Sequence, residues 1–377
     1  MGKQMELFRE TTKIVKYETA EEFVMESSMT KEDFLLCSRS VFDRYFKEYE
    51  PKACVHFKDE YGSGEPTDVM IEKLRADFEK SGCKRIIAVG GGAVIDMAKI
   101  LVTGIPQTAD AVSIFKKEVE ITKKYPLIAV PATCGAGSEV SSVSIMEATS
   151  LHTKLGLADP ALFPDEAVLI PELLRELPYF FFATSAIDAL IHAMESYVSP
   201  KANLYTEMFS EKAIDLLIRG FLRMTEEGKE ARMEMLDEFL TASNLAGIAF
   251  ANAGTGAVHA MSYPLSGTYH VTHGEANYQF LTAVFQTYQT CRPNGKIRQL
   301  TKMLGNVLGC REEDVFKKLE ELLSGIILRK PLREYGMKEE EIRSFSVSVQ
   351  ESQKRLLGQS YIWFTKEQME DIYRSLY

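Results

Sequence analysis

The stretch "IIAVGGGAVIDMAK", residues 86–99, divides into a short apolar run, three consecutive glycines and the start of a helix near Ala93. The run is brief and β-branched with no polar alternation, the pattern of a strand buried on both faces. Glycines let the backbone turn with positive φ and approach a ligand closely. The free N–H groups and positive end of the following helix then favour a pyrophosphate. The sequence is not GxGxxG, so the usual dinucleotide fingerprint does not apply, and a plain tight turn stays open as the alternative. Three glycines, Gly90, Gly91 and Gly92, with Asp96 and Lys99 in the next turn, tilt the reading towards ligand binding.

Outward from that unit, "DFLLC" (33–37), "ACVHF" (53–57), "PLIAVP" (126–131) and "AVLIP" (167–171) are further short buried strands. "TDVMIEKLRADFEKSG" (67–82) is a helix between two of them, with Thr67 as N-cap and Gly82 at its end. Strand–helix–strand alternation predicts right-handed crossovers and a mainly parallel sheet. A second small-residue loop, "PATCGAGSEVSS" (131–142), offers Thr133, Ser138 and backbone amides. Both loops open at the carboxyl edge of the sheet, where open α/β sheets bind ligands. After residue 180 the strand pattern gives way to helical spacing in 203–228, 231–254 and 311–329, and to a last helix capped by Thr365. The expected architecture is an α/β nucleotide-binding domain over 1–180 and an all-helical domain over 181–377. No Pro/Ser-rich linker separates them, so a cleft between packed domains is expected.

Composition narrows the function. Hydrophobic residues are 45% and charged residues 26% of 377, a globular balance with ample core. A net charge of −10 argues against a general nucleic-acid binder, which needs a basic face. The six cysteines are scattered without a CxxC pair, as for reduced thiols in a cytoplasmic protein. No stretch approaches the roughly 18 apolar residues of a membrane span, and the charged N-terminus has no signal-peptide core.

Four side chains point to a metal. In "TSAIDALIHAMESYV" (184–198), Asp188 and His192 stand four positions apart, on one helical face. His259 lies in "AGTGAVHAM", and His273 follows an irregular connection "SGTYHVT". One carboxylate and three imidazoles suit Fe²⁺ or Zn²⁺ and leave a coordination position for substrate. The spacing alone leaves other readings open. Ser185-x-x-Asp188 matches a capping box, Asp188–His192 an ordinary i,i+4 pair, His259 a core histidine and His273 a turn residue. His56 and His152 lie apart from this set and read as structural or peripheral.

"GGGAVIDMAK", "PATCGAGSEVSS", "SAIDALIHAMESYVSP" and "GAVHAMSYPLSGTYHVTHGEANY" together resemble, in order, the signature segments of the iron-containing (group III) alcohol dehydrogenases. The resemblance runs over nearly the whole chain. It implies a dehydroquinate synthase-like fold, an α/β nucleotide-binding domain followed by a helical metal-binding domain. It also implies the metal ligands Asp188, His192, His259 and His273. Cofactor contacts are implied at Gly90, Gly91, Gly92, Ala93 and Asp96, and at Ser38, Thr133, Cys134, Ser138 and Lys154. "TYHVTHGEANY" and "RKPLREYGMKEEEI" (329–342) resemble the bacterial members that interconvert 4-hydroxybutyrate and succinate semialdehyde. Members acting on neutral alcohols such as butanol or propanediol, or a metal-dependent lyase on the same scaffold, are the alternatives. A small-molecule substrate and a homo-oligomer are expected.

The chain departs from the family at three places. Tyr263 stands where many members have a second histidine implicated in proton transfer, which leaves His270 as a candidate relay. His270 itself stands where many members have Asn. Ser38 followed by Arg39 replaces the acid that holds the adenosine ribose and repels a 2′-phosphate. NAD is expected as cofactor with NADP also open, since Arg39 favours the latter. Tyr269, Tyr263 and His270 are the nearest candidates for a substrate carboxylate.

Overall fold

The computed structural model describes residues 6–377, His152 excepted. The strands are β1 Lys13–Lys16, β2 Asp33–Cys37, β3 Cys54–Phe57, β4 Arg85–Gly90, β5 Leu127–Pro131, β6 Val143–Ala148, β7 Thr153–Ala158 and β8 Glu166–Leu169. Six of them form one sheet in the order β1-β8-β5-β4-β2-β3, every neighbouring pair parallel. β6 and β7 form a separate antiparallel hairpin.

Alternate residues of the central strands enter two different cores. Phe34, Leu36, Ile86 and Ala88 pack with Ile71, Leu74 and Phe78 of the helix Asp68–Ser81 and with Ile95. Leu35, Cys37, Ile87 and Val89 pack on the other face with Phe23 and Phe46. Both faces of the sheet are therefore covered, which is why its strands read as unbroken apolar runs. Thr67 caps the helix as expected, its hydroxyl accepting from Met70 N–H at 3.2 Å. At the amino edge of the sheet Arg85 pairs with Asp33 across β4 and β2, Nε to Oδ1 at 2.6 Å.

The chain divides into two compact units, Glu10–Leu177 and Pro178–Tyr377, the second joined by residues 6–9. That segment was expected with the α/β half. It belongs to the helical unit because Arg9 N–H donates to Asn252 Oδ1 at 2.7 Å while Asn252 Nδ2 returns a bond to the Arg9 carbonyl at 3.0 Å. Phe8 also stacks on Phe209, centroids 5.6 Å apart.

In the helical unit Tyr179–Val198 is buried along most of its length and packs against the helices Leu204–Glu227, Leu236–Ala253 and His273–Cys291. The helix expected over 231–254 begins only at Leu236, after a 3-10 turn at Lys229–Glu234. The one expected over 311–329 is confined to Val315–Ile326. The last helix, Lys366–Leu376, starts with the capping box of Thr365 and Gln368. Among the described residues no helix is long and apolar enough to cross a membrane.

Candidate metal centre and nucleotide loops

Asp188 and His192 stand in mid-helix in Tyr179–Val198, as its tenth and fourteenth residues. The capping reading of Asp188 is thereby excluded. Ser185 turns its hydroxyl back onto the Phe182 carbonyl at 3.0 Å instead. His259 is the third residue of the helix Ala257–Tyr269, which runs through Pro264 and takes in most of the segment expected to be irregular. Only residues 270–272 break the chain before His273 opens the next helix, His273–Cys291. Gly274 lets that helix start against the Asp188 helix. A Cβ there would lie 2.5 Å from the Thr184 carbonyl oxygen and 3.4 Å from Asp188 Cβ.

These three helices bring four donors together. One ligand atom from each of Asp188, His192, His259 and His273 lies within 4.8 Å of all the others. His259 Nε2 and His192 Nε2 are 3.0 Å apart. The carboxylate of Asp188 stands 3.9 Å from each of those nitrogens and 3.8 Å from His273 Nε2. Ligands about 2.1 Å from one cation lie roughly 3.0–3.4 Å from one another, so the donors are spaced to close on a single ion. The Asp188 and His192 side chains are 5% and 6% exposed but that of His273 is 33% exposed, which puts the open side of the cluster at His273.

Burial opposes ionisation of Asp188. The imidazoles of His192, His273 and His259 and the Asn277 amide outweigh it and hold the carboxyl below its usual range. Asn277 Nδ2 donates to Asp188 Oδ1 at 2.7 Å and meets His273 Nε2 at 3.1 Å. Glu195, buried one turn beyond His192, meets His259 Nδ1 at 2.6 Å through Oε2. Burial lowers the His259 pKa, yet the Glu195 carboxylate more than compensates and raises it. Neither Asn277 nor Glu195 was singled out from the sequence. Their spacings, His273 to Asn277 at i,i+4 and His192 to Glu195 at i,i+3, are the signal available there.

In the α/β unit Gly90 ends β4, Gly91 precedes the helix Gly92–Leu101, and Ala93 lies in its first turn. The second loop closes on the first. A Cβ on Gly92 would lie 2.8 Å from Ala136 Cβ, and one on Gly91 would lie 3.4 Å from Thr133 Cγ2. Buried Lys99 binds the loops together, with Nζ at 2.7 Å from Ser138 Oγ, 3.1 Å from Ser141 Oγ and 2.6 Å from the Val143 carbonyl. Burial brings its pKa down to about 8 against the pull of Asp96 and Glu139. Asp96 accepts from Ser138 Oγ and from Ile145 N–H, so both of its oxygens and the Ser138 hydroxyl are engaged within the protein. Cys134 is buried, and Lys154 lies opposite Glu147 across the β6–β7 hairpin.

Ser38 follows β2, its N–H donating to the Val89 carbonyl at 3.1 Å beside the glycine turn. Arg39 is paired with Glu60, and Asp59 accepts from the Arg39 N–H at 3.1 Å. Tyr263 sits one turn after His259, half-buried, whereas His270 is exposed with φ +54°. Tyr269 donates its hydroxyl to Glu341. Burial and that carboxylate push its pKa up to about 12. His56 contacts the Tyr61 hydroxyl at 3.0 Å and stacks on Phe34, a structural role, while His152 lies outside the described residues.

Residues 18–171 match the family described as iron-containing alcohol dehydrogenase, and residues 182–377 the Fe-containing alcohol dehydrogenase family, C-terminal. The 4-hydroxybutyrate dehydrogenase of Clostridium kluyveri is 48% identical over 373 residues, 99% of this chain and 100% of that protein. The iron-containing alcohol dehydrogenase of Thermococcus thioreducens superposes with a TM-score of 0.81 at 26% identity, covering 98% of this chain and 99% of that one. The sulfoacetaldehyde reductase of Bifidobacterium kashiwanohense, solved with NAD+, has a TM-score of 0.82 at 20% identity over 100% of this chain and 99% of that one, a likeness of fold.

Proposed function

The chain belongs to the iron-containing alcohol dehydrogenase family, and from that premise we propose that it transfers hydride between NAD(H) and the pair 4-hydroxybutyrate and succinate semialdehyde. The observation that carries the reading is the convergence of Asp188, His192, His259 and His273 in a chain 48% identical, end to end, to a 4-hydroxybutyrate dehydrogenase. In this reading those four residues hold a divalent cation, iron first and zinc second. Such a cation supplies Lewis acidity, easing loss of the alcohol proton in one direction and polarising the aldehyde carbonyl in the other.

The chain's own groups prepare that site. The ligand set contributes one negative charge, from Asp188, and three neutral imidazoles, so a dication held there keeps net positive charge. Asn277 and Glu195 fix the direction in which the donors point. The open side at His273 admits the substrate oxygen. The glycine turn at Gly90–Gly92 with Thr133 and Ala136 offers backbone N–H groups to the cofactor pyrophosphate. Tyr263 and His270 are the groups assigned to carry the released proton, Tyr263 from one turn beyond His259 and His270 from the exposed end of the same helix.

NAD(H) is favoured over NADP(H) because Glu60 pairs with Arg39 and Asp59, accepting from the Arg39 N–H, is a second acid there. A homo-oligomer in the cytoplasm completes the reading, the latter in keeping with six free cysteines. The test is metal-reconstituted protein assayed with 4-hydroxybutyrate and 1-butanol. A kcat/KM at least tenfold higher for the hydroxy acid is expected, and equal values would return the chain to the neutral-alcohol members.

A further inference from the structure

We propose that Glu195 is a positioning residue that selects the metal-binding tautomer of His259, an inference that rests on the four donors forming a metal site. Glu195 lies seven residues after Asp188 and three after His192, on the same side of their helix, and is 2% exposed. Both of its oxygens are committed. Oε1 accepts from the Val258 N–H at 2.7 Å, and Oε2 meets His259 Nδ1 at 2.6 Å. An ionised carboxylate only accepts, so Nδ1 carries the proton and Nε2 keeps its lone pair. That Nε2 is the nitrogen 3.0 Å from His192 Nε2 and 3.9 Å from Asp188 Oδ1.

The carboxylate has little freedom to turn. The Val258 amide belongs to the first turn of the Ala257–Tyr269 helix, where N–H groups have no partner within the helix. Gly256 is pressed between Ser360 and Glu195, since a Cβ there would lie 3.1 Å from Ser360 Oγ and 3.3 Å from Glu195 Oε1. One oxygen is thus pinned by a backbone donor and the other faces the ring.

This pinning makes the two obvious substitutions behave in an unusual order. In Glu195→Gln the amide oxygen takes the Val258 N–H, and the NH₂ group is left facing Nδ1. A donor there requires Nδ1 to accept, so the ring proton moves to Nε2 and blocks the metal, the same tautomer error that an amide causes in a catalytic triad. Glu195→Ala leaves space for water, which accepts from Nδ1–H as readily as it donates. A carboxylate that only supported the fold would give the opposite ranking, with the isosteric amide the milder change.

The test uses the full-length wild type, E195Q and E195A stripped of metal. Melting temperature is measured without metal, Zn²⁺ affinity by competition with a chromophoric chelator, and Co²⁺ coordination by its visible spectrum. E195Q is expected to melt near wild type yet to bind Zn²⁺ about 100-fold more weakly, with E195A melting lower and losing about tenfold. The proposal is overturned if E195Q stays within tenfold of wild type, or if E195A folds and binds more weakly than E195Q. E195Q preserves side-chain volume, so its affinity decides the matter alone should E195A not fold. If the wild type itself binds no metal, the metal site falls, and this inference with it.

Discussion

Arg39 is held by Glu60, Nη2 to Oε1 at 2.6 Å, with its guanidinium 3.8 Å from the centre of the Phe57 ring. The parallel register of β2 and β3, Cys37 opposite Phe57, puts the residues that follow these strands side by side. An arginine that the linear sequence offers to a 2′-phosphate is therefore already occupied by an acid.

NADH is accordingly expected to bind at least tenfold more tightly than NADPH, read by quenching or transfer of nicotinamide fluorescence. Glu60→Gln should narrow that ratio about two- to fivefold by releasing Arg39, the scale of an exposed ion pair. A wild type that prefers NADPH would refute the assignment.

Asp188→Asn removes the one negative charge of the cluster, and His192→Ala removes a donor. Purified variants should contain little metal by elemental analysis and lose about a thousandfold or more in turnover, the worth of several kcal/mol of transition-state stabilisation. Wild-type metal content in both would show that the ion sits elsewhere.

Gly274→Ala puts a methyl group against the Thr184 carbonyl, where the gap is 2.5 Å. The His273 helix must then back away from the Asp188 helix, at a cost of about 2 kcal/mol. Lower thermal stability together with weaker Zn²⁺ binding is expected, and unchanged binding would show that His273 is not needed in place.

Asp33 gives a pH signature to the α/β unit. Burial raises its pKa, but the Arg85 guanidinium and Thr30 outweigh this and hold it below the ordinary 3.8. The stabilisation is therefore full above that value and drains away as pH falls below it, through the lower pKa of the folded state. Asp33→Asn should melt below wild type by a constant margin from about pH 5 to 8, a margin that shrinks in acid below about pH 4. A margin unchanged down to about pH 2 would show that the pair is not responsible.

The central strands and the helix Asp68–Ser81 were legible because burial on both faces, or on one helical stripe, leaves a strong apolar period. β1, "KIVK", was not, for its edge position leaves two exposed lysines about a short apolar pair. β6 and β7 were missed because Ser144, Glu147, Lys154 and Gly156 interrupt the apolar residues of their hairpin. At the metal centre the i,i+4 pair Asp188 and His192 declared itself, but His259 comes 67 positions later and only folding brings it within reach. Glu195 looked like any acid near a helix end, and its meaning appears only with the His259 ring beside it.

The helix Tyr179–Val198 carries Asp188, His192 and Glu195 on an unbroken rod gripped by its neighbouring helices. Burial on that rod holds the three side chains in fixed relation to one another, so little of the chain is free to reorder around them. The protein should consequently survive being emptied and refilled with different dications. Which one it carries is then set by metal supply together with the one-carboxylate, three-imidazole donor set.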